Sequence, residues 1–322
     1  MKNKRLLARL CIAACAAFAT GAIAQAWPSK PLRMIIPYPA GGATDILGRL
    51  ISQKLSPLIG QPIVVENKAG ASGNLAFDFV AKSAPDGYTL LTGTANMTIA
   101  PAFSSTLPYN VLTDYAPISQ IVSSQNFLVI RPTLPANNVR ELIAYAKANP
   151  GKLTYGSSGI GTPLLCIELL KSLAGINILQ VPYKGDAPAL TDLMGGQIDM
   201  YCSSVTGQVG FVRAGKLKGL GVTSRRRASS MPEVPTIEEA GVPGYELSSW
   251  YGILAAAGTP RPIVEQLNAH IVKIVAMPDV QKVMIEGGSD PQSSTPDEFM
   301  ARIRANVTKF SALVKSAGIK GE

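Results

Sequence analysis

The chain has 322 residues, of which 47% are hydrophobic and 16% are charged, and its formal net charge is +9 at pH 7. One histidine and four cysteines exclude a histidine-rich metal site and the dense disulfide framework of a small secreted fold. The densest basic cluster, Arg225-Arg226-Arg227, has no interleaved aromatic residues and predicts a solvated loop, so we expect no nucleic-acid partner.

Residues Met1–Ala26 have the pattern of a secretory signal peptide. A basic start precedes the apolar run Leu10–Ile23 and Ala24-Gln25-Ala26, which matches a small-x-small cleavage site. The basic residues are Lys2, Lys4, Arg5 and Arg9. We therefore expect the mature chain to begin at Trp27 and to be secreted, the alternative being a retained N-terminal anchor. Later apolar runs are shorter than the roughly 20 residues that a membrane-spanning helix needs.

A glycine-rich turn, Pro37–Asp45, lies between a predicted strand, Leu32–Pro37, and a predicted helix, Ala43–Ile59. Adjacent glycines let a ligand approach the main chain, and free N–H groups at a helix start favour an anion such as a carboxylate or phosphate. The alternative is a tight turn that Thr44 caps and that binds no ligand. The candidate ligand-binding residues of this turn are Tyr38, Ala40, Gly41, Gly42, Ala43, Thr44 and Asp45.

The following segments alternate between apolar runs and helical periodicity. Strands are predicted at Ile63–Glu66 and Thr89–Leu91, a helix at Asn74–Lys82, and an irregular, proline-rich stretch from Pro101 to Pro117. This alternation is typical of parallel sheets covered by helices, and it occurs in two successive systems. The elements of the second system are strand Phe127–Arg131, helix Val139–Asn149, strand Leu153–Gly156, helix Thr162–Ala174, strand Ile178–Val181, helix Pro188–Met194, strand Ile198–Cys202, helix Gln208–Ala214 and strand Leu217–Val222.

A second turn of the same kind, Tyr155–Thr162, again joins a predicted strand to a predicted helix. A small acid held between two helix N-termini would have main-chain donors at both ends. In open α/β sheets, ligands lie beyond the carboxyl ends of the strands, which adds residues that follow other strands. The further candidate residues are Ser157, Ser158, Gly159, Gly161, Thr162, Thr94, Asn96, Ser203 and Ser204.

Four aromatic residues could line the same site. Tyr38, Tyr183, Trp250 and Tyr251 would suit an aromatic acid, and Tyr183 joins the candidate ligand-binding residues. The alternative is that these residues are part of the packed core.

The cysteine and histidine positions limit the chemistry. Cys166 and Cys202 are the cysteines beyond the signal peptide, and we expect two buried thiols, with a disulfide as the alternative. His270 lies in the predicted helix Pro262–Met277, where a surface or structural role is expected, so a Ser-His-Asp triad would need an unusual long-range arrangement. We expect no metal, no cofactor and no enzymatic activity.

Several short motifs follow one another along the mature chain. They are Pro37–Asp45, Val65–Gly73, Pro85–Leu90, Tyr155–Gly159, Val181–Gly185, Asp192–Asp199, and Pro235-Thr236 through Gly244-Tyr245. In this order they resemble the Bug (TctC-type) family, the periplasmic substrate-binding proteins of tripartite tricarboxylate transporters. The resemblance spans Trp27 to Gly318. It implies an α/β, type II periplasmic-binding-protein fold with a ligand cleft between two α/β domains, and a carboxylate held by main-chain and water contacts from Ala40–Asp45 and Ser157–Thr162.

The chain departs from this family pattern at one place. The family commonly has a histidine near the start of the helix after the second loop, whereas Gly161–Cys166 is one residue shorter and has none. In relatives with amino- or amide-bearing ligands, the acid that matches Asp45 can face the ligand nitrogen. We favour the alternative, in which Asp45 orders water or supports the helix start.

Two regions look like connections between domains, Pro101–Pro117 and Met231–Pro243. The expected domains are 27–125 plus 240–322, and 126–239. The C-terminal helices predicted at Pro262–Met277 and Pro296–Lys315 would return to the first domain.

The sequence thus predicts a monomeric binding protein for a dicarboxylate, tricarboxylate or aromatic acid, which delivers its ligand to the membrane subunits of a tripartite transporter. A second hypothesis makes it the ligand-dependent partner of a signalling sensor. A third is a secreted hydrolase with Ser157, Ser158 or Ser203 as nucleophile and Lys184 as base, although the spacing matches no Ser-x-x-Lys motif.

Overall fold

The computed structural model describes residues 27–104, 106–158, 161–183, 185–316 and 318–319. The predicted signal peptide, Gly159 and Lys184 lie outside the described residues. Within the described ranges, no helix is both long enough and apolar enough to cross a membrane.

Strands and helices alternate along most of the chain. The strands are β1 (Leu32–Ile36), β2 (Ile63–Asn67), β3 (Thr89–Thr94), β4 (Tyr115–Ser124), β5 (Asn126–Ile130), β6 (Thr154–Ser158), β7 (Leu179–Tyr183), β8 (Met200–Ser204), β9 (Lys218–Val222), β10 (Ser249–Ala256) and β11 (Ser289–Pro291). The α-helices are α1 (Ala43–Ile59), α2 (Asn74–Ala81), α3 (Asn96–Ile99), α4 (Val139–Ala148), α5 (Thr162–Ala174), α6 (Asp186–Met194), α7 (Val205–Arg213), α8 (Arg261–Val275), α9 (Pro278–Glu286) and α10 (Pro296–Ser316).

The strands form two sheets. The first has the order β11-β4-β10-β3-β1-β2, and the second has the order β7-β6-β8-β5-β9. In the first sheet β1 runs parallel to β2 and β3, and in the second β6 runs parallel to β7 and β8. The two glycine turns follow β1 and β6, and each turn leads into a helix.

The expected parallel sheets also contain antiparallel strands where the chain passes from one sheet to the other. β5 starts directly after β4 and pairs antiparallel with β8 and β9, and β10 returns antiparallel to β3 and β4. A strand that enters a sheet from the side where the βα strands end must run against those strands. The register shows this, since Asn126 lies opposite Ser204 and Tyr251 lies opposite Thr94.

Apolar residues on the helices cover both faces of the first sheet. On one face Leu47, Ile51 and Leu55 of α1 belong to one buried cluster with Met34 of β1 and Leu267 of α8. On the other face, Phe77 of α2 and Trp250 of β10 share a second cluster. Burial of each side chain of this size contributes roughly 1.5–3 kcal/mol to the stability of the fold. The turn after β1 therefore lies between two well-packed elements, β1 and α1.

Helix α10 packs against both halves of the molecule. Its first part places Phe299 and Ile303 in the core of the first sheet, and the Phe299 ring meets the Trp250 ring edge-on at 4.9 Å between centroids. Its last part places Phe310 and Leu313 in the core of the second sheet. The helix is therefore a connection between the sheets, beside the segments that cross at residues 124–126 and 223–248.

Cys166 and Cys202 form a disulfide, which corrects the expectation of two buried thiols. The bond joins the first half of α5 to β8, and the Cα atoms of the two cysteines lie 6.3 Å apart. This separation is within the range that a disulfide spans, and both residues are completely buried. The Tyr245 hydroxyl donates to the Cys166 carbonyl at 2.9 Å, so the bond lies in a well-packed core.

Candidate functional site

The first glycine turn joins β1 to α1 and leaves its main chain open to solvent. Residues 40–43 are exposed, and Gly42 is the N-cap of α1 with an extended backbone (φ −82°, ψ 170°). Gly41 has a φ of 88°, a conformation that favours glycine. The N–H groups of Gly42, Ala43 and Thr44 have no acceptor among the described residues, as is usual at a helix start.

The alternative in which Thr44 caps the helix is wrong. Gly42 is the cap, and no side chain of the described residues caps it. Thr44 lies at the second position of the helix, buried, and it hydrogen-bonds the Tyr251 hydroxyl. Burial raises the pKa of Tyr251, and the hydrogen bond to Thr44 opposes the rise, so Tyr251 stays neutral beside the turn.

Asp45 fixes the turn through hydrogen bonds on its buried side. It is 4% exposed, and its Oδ2 accepts the Gly41 N–H at 3.0 Å. Its Oδ1 accepts from Arg49 Nε and from Asn67 Nδ2, each at 2.9 Å. The hydrogen bond from Arg49 is the main cause that lowers the pKa of Asp45 to about 2, against the effect of burial. The carboxylate is therefore ionised, and its charge is balanced within the protein.

Arg49 and Asn67 are site residues that the sequence analysis missed. Asn67 ends β2 and donates to the Tyr38 carbonyl at 2.9 Å, while the Arg49 guanidinium donates to Asn67 Oδ1 at 2.9 Å. The signal for Arg49 was its position four residues after Asp45, on one face of the helix. Asn67 carried no such local signal, because its partners come from another strand.

Tyr38, Thr94 and Asn96 come together as predicted for residues at neighbouring strand ends. The Asn96 amide donates to the Tyr38 hydroxyl at 2.9 Å, and the Thr94 hydroxyl lies 3.5 Å from it. The Tyr38 hydroxyl also lies 3.4 Å from the Ser72 carbonyl. Burial raises the pKa of Tyr38, which keeps the phenol protonated.

The loop that receives this contact has an unusual backbone. Four successive residues have positive φ: Gly70 at 139°, Ala71 at 47°, Ser72 at 55° and Gly73 at 98°. Two of these are not glycine, and such conformations cost of order 1–3 kcal/mol. Strain of this kind is concentrated at ligand sites, so this loop, which the sequence identified only as part of the motif Val65–Gly73, belongs among the candidate site residues.

A cavity of about 160 Å³ opens beside this cluster. Polar groups of Ser72, Asn74 and Asn96 line one part of it, and Ile99, Phe103 and Leu107 line the apolar part. Such a mixture of a few polar groups with apolar walls is typical of small-molecule sites.

The described part of the second glycine turn offers few main-chain donors at the start of its helix. Gly161 is the N-cap of α5, Thr162 begins the helix, and Pro163 has no N–H to offer. The Ser157 hydroxyl is buried and accepts a hydrogen bond from Gln180 Nε2 at 2.7 Å, so it already has a partner on the neighbouring strand. Ser158 ends β6.

Two of the remaining candidates of the second sheet, Ser203 and Tyr183, also have partners within the protein. Ser203 is buried with its Oγ 2.8 Å from the Gln208 amide, while Ser204 is exposed at the start of α7. The Tyr183 hydroxyl donates to Asp192 at 2.7 Å, and burial is the main cause that raises its pKa to about 12. Of the four candidate aromatic residues, Trp250 is core and has no exposed surface.

The described residues include no group of three or more His, Cys, Asp and Glu placed to hold a metal ion. His270 is half-buried in α8, and burial lowers its pKa. The hydroxyls of Ser157 and Ser203 meet glutamine amides, which cannot act as general bases.

Two α/β sheets joined by crossing segments, with glycine turns where the parallel strands give way to helices, define the class of type II periplasmic binding proteins. The chain belongs to the tripartite tricarboxylate transporter family receptor (TctC) family, whose model matches residues 47–319.

Three relatives, two of them of known structure, agree with this assignment. Rpa4515 of R. palustris, solved with adipate, is 35% identical, and the match covers 92% of this chain and 100% of that one with a TM-score of 0.77. MatC of Rhodopseudomonas palustris, solved with bound malate, is 30% identical, and the match covers 89% and 100% with a TM-score of 0.72. Protein BugT of Bordetella pertussis is 35% identical over 324 residues, 99% of each chain. The family consists of periplasmic solute-binding proteins.

Proposed function

We propose that this chain captures a small carboxylate in the periplasm and delivers it to the membrane subunits of a tripartite transporter. One carboxylate of the ligand accepts hydrogen bonds from the exposed N–H groups of the first glycine turn and faces the second turn across the cleft. The observation that supports this most is the uncapped start of α1, at which Gly42, Ala43 and Thr44 present main-chain donors while Asp45 fixes the turn. A helix N-terminus of this kind favours an anion.

The ligand class follows from the donors. The turn itself contains main-chain N–H groups and no arginine, so it suits one carboxylate at close range better than a bulky polyanion. The cavity next to Asn96 and Ser72 gives room for the rest of the ligand, with apolar wall and polar rim. This fits a dicarboxylate with a short carbon chain, and adipate and malate, which two relatives bind, are the first candidates.

We assign Asp45 a positioning role. Three donors already use its two oxygens, and the charge of Arg49 balances its own, so it need not pair with a ligand cation.

The division into domains 27–125 plus 240–322 and 126–239, and the monomeric state, are further parts of the proposal.

A hydrolase is the less favoured reading. The hydroxyls of Ser157 and Ser203 are hydrogen-bonded to amides, which do not activate a nucleophile.

The proposal is tested by removing one main-chain donor. Ala43 is the first residue of α1, where proline is well tolerated because its missing N–H has no partner within the helix. The preceding Gly42 has the extended backbone that a residue before proline prefers. Ala43→Pro should therefore leave the fold intact and weaken adipate or malate binding by about ten-fold or more in calorimetry, since a hydrogen bond to a charged group contributes roughly 1.5–3 kcal/mol.

Ala43→Gly is the control, because it changes the side chain at the same position and keeps the main-chain N–H. Its affinity should stay near that of the wild type. Equal affinity of the proline variant and the wild type would refute binding at this turn.

A further inference from the structure

A second polar pocket lies where the segments that join the two sheets meet. It has a volume of about 480 Å³, and we call it the crossing pocket. Its residues come from β4 and the crossing after it, from the segments after β9 and before β10, from β11 and from α10. They are Ser123, Gln125, Ser224, Arg225, Arg226, Glu246, Ser248, Asp290, Pro291, Gln292, Arg302, Ala305 and Asn306. None of these described lining residues belongs to either glycine turn.

Arg302 is the innermost cation of the crossing pocket. Its guanidinium donates to Gln120 Oε1 at 2.7 Å and to Ser248 Oγ at 2.9 Å, which are both neutral acceptors. Across the described part of the chain, it has no carboxylate oxygen within 4.0 Å. Burial lowers its pKa, but a guanidinium stays charged in proteins. The charge of Glu246 also acts on Arg302, but without a direct ion pair. A partly buried cation whose hydrogen-bond acceptors are all neutral can still gain from a further anion.

Two more arginines border the pocket without ion partners. Arg225 and Arg226 are exposed, and neither forms an ion pair with any described residue. Their neighbour Arg227 differs, since it donates to Glu239 at 2.9 Å and does not line the pocket.

Asn306 supplies a second, independent sign of an absent ligand. Its Nδ2 is buried and has no acceptor among the residues described. A buried amide donor without a partner costs about 1–3 kcal/mol, so such groups usually face a water, an ion or a ligand.

The acidic residues of the pocket leave an excess of positive charge. Glu246 pairs with Lys309 at 2.7 Å, outside the lining. Asp290 accepts hydrogen bonds from the Gln125 amide and, at 3.2 Å, from the Ser229 N–H. The lining thus has three arginines and two carboxylates, and Lys309 already pairs with one of these carboxylates, Glu246.

We propose that the crossing pocket is a second anion site, which binds a small oxyanion of about two negative charges through Arg302, Asn306 and the two free arginines. Sulfate, hydrogen phosphate and a short dicarboxylate share this chemistry, and guanidinium groups bind such oxyanions bidentately. The site is separate from the proposed carboxylate cleft. Because its walls come from the joining segments and from α10, a bound anion would also fix those segments to one another.

Calorimetry with sodium sulfate, at an ionic strength held constant with sodium chloride, tests the site. Wild-type protein should bind one sulfate saturably. Arg302→Gln should weaken this binding about ten-fold or more, and Arg226→Gln, an exposed substitution that leaves the core untouched, should weaken it several-fold. Arg227→Gln removes the same charge next to the pocket but outside it, so it should change the affinity little.

Several results would overturn the proposal. The first is an absence of saturable sulfate binding. The second is an equal effect of Arg226→Gln and Arg227→Gln on the affinity, which would indicate general charge attraction. The third is wild-type affinity in both pocket variants, which would indicate binding in the cleft. The side-chain Nε–H NMR signal of Arg302 gives a readout without substitution, and it should shift on sulfate addition. An unmoved signal at saturating sulfate would also contradict the site. Sulfate binding here and carboxylate binding at the first turn can fail independently, because the variants differ.

Discussion

Asp45 shows how an acidic side chain can lie beside a turn that we propose to bind an anion without repelling that anion. Its charge is balanced by Arg49, and its oxygens are filled by Gly41, Arg49 and Asn67. The sequence placed Asp45 in the site, but it left open whether the carboxylate faced a ligand. The hydrogen bonds indicate support of the turn, and this distinction has consequences for stability and for affinity.

The stability of the fold should depend on pH through Asp45. Its pKa in the folded chain is about 2, below the ordinary 3.8, so the ionised form stabilises the fold above about pH 4, and the effect is lost as the pH falls through 2. Since the Arg49 side chain is 49% exposed, we discount for solvent and expect about 1–2 kcal/mol at pH 7. Urea unfolding of Asp45→Asn should show this loss at pH 7 and a much smaller loss near pH 2.5.

Asp86→Asn, at an exposed carboxylate near Lys30, is the control and should have little effect at either pH. A penalty for Asp45→Asn that is the same at both pH values would contradict an ionised, paired Asp45.

The affinity consequence concerns ligand classes. If Asp45 positions the turn, Asp45→Asn should weaken a plain dicarboxylate and an amino-bearing acid by similar factors in calorimetry, together with a lower melting temperature. A selective loss for the amino-bearing acid, with an unchanged melting temperature, would mean that Asp45 contacts the ligand nitrogen.

At the level of elements, the disulfide is the feature with the clearest energetic effect. It closes a loop of 36 residues between α5 and β8, and constraint of the unfolded chain over such a length stabilises by about 2–4 kcal/mol. Cys166→Ala combined with Cys202→Ala should lower the free energy of unfolding by about this amount in urea. A reducing agent should do the same to the wild type and nothing to the double variant. An unchanged wild-type midpoint under reductant would contradict a disulfide in solution.

The sequence predicted elements well where local periodicity and the turn chemistry agreed. Helices α1 and α5 have the predicted bounds, since an apolar stripe follows a glycine turn in both. It missed β10 and the main part of β4, which are buried on both faces and carry no alternating pattern. It also missed α9, which begins at a proline shortly after another helix ends.

The residues of the candidate site could be predicted only in part. The turn residues and the cluster of Tyr38, Thr94 and Asn96 follow from strand ends that meet at one edge. The partners Arg49 and Asn67, the strained loop at Ala71 and Ser72, and the disulfide depend on tertiary contacts or on backbone conformations, which one sequence does not reveal.

At the level of the whole molecule, two lobes that share α10 and the crossing segments suggest closure around a ligand. Hinge closure of this kind moves rigid bodies about a few connecting residues. Small-angle scattering should therefore show a smaller radius of gyration with saturating adipate or malate than without it. At a ligand concentration just sufficient to saturate the wild type, the Ala43→Pro variant should contract less, because its affinity is expected to be about ten-fold lower. An unchanged wild-type radius at saturation would indicate a rigid, preformed site.

The claim that a carboxylate is recognised by main-chain donors is tested most directly by calorimetry with one ligand in two chemical forms. Adipate and its dimethyl ester have the same carbon chain, but only the acid carries the charges that the N–H groups of the first turn would stabilise. We predict saturable one-to-one binding of the acid and at least about ten-fold weaker binding of the ester. If adipate does not bind, malate and other short dicarboxylates with their esters are the same test. Equal affinity for an acid and its ester would contradict the account.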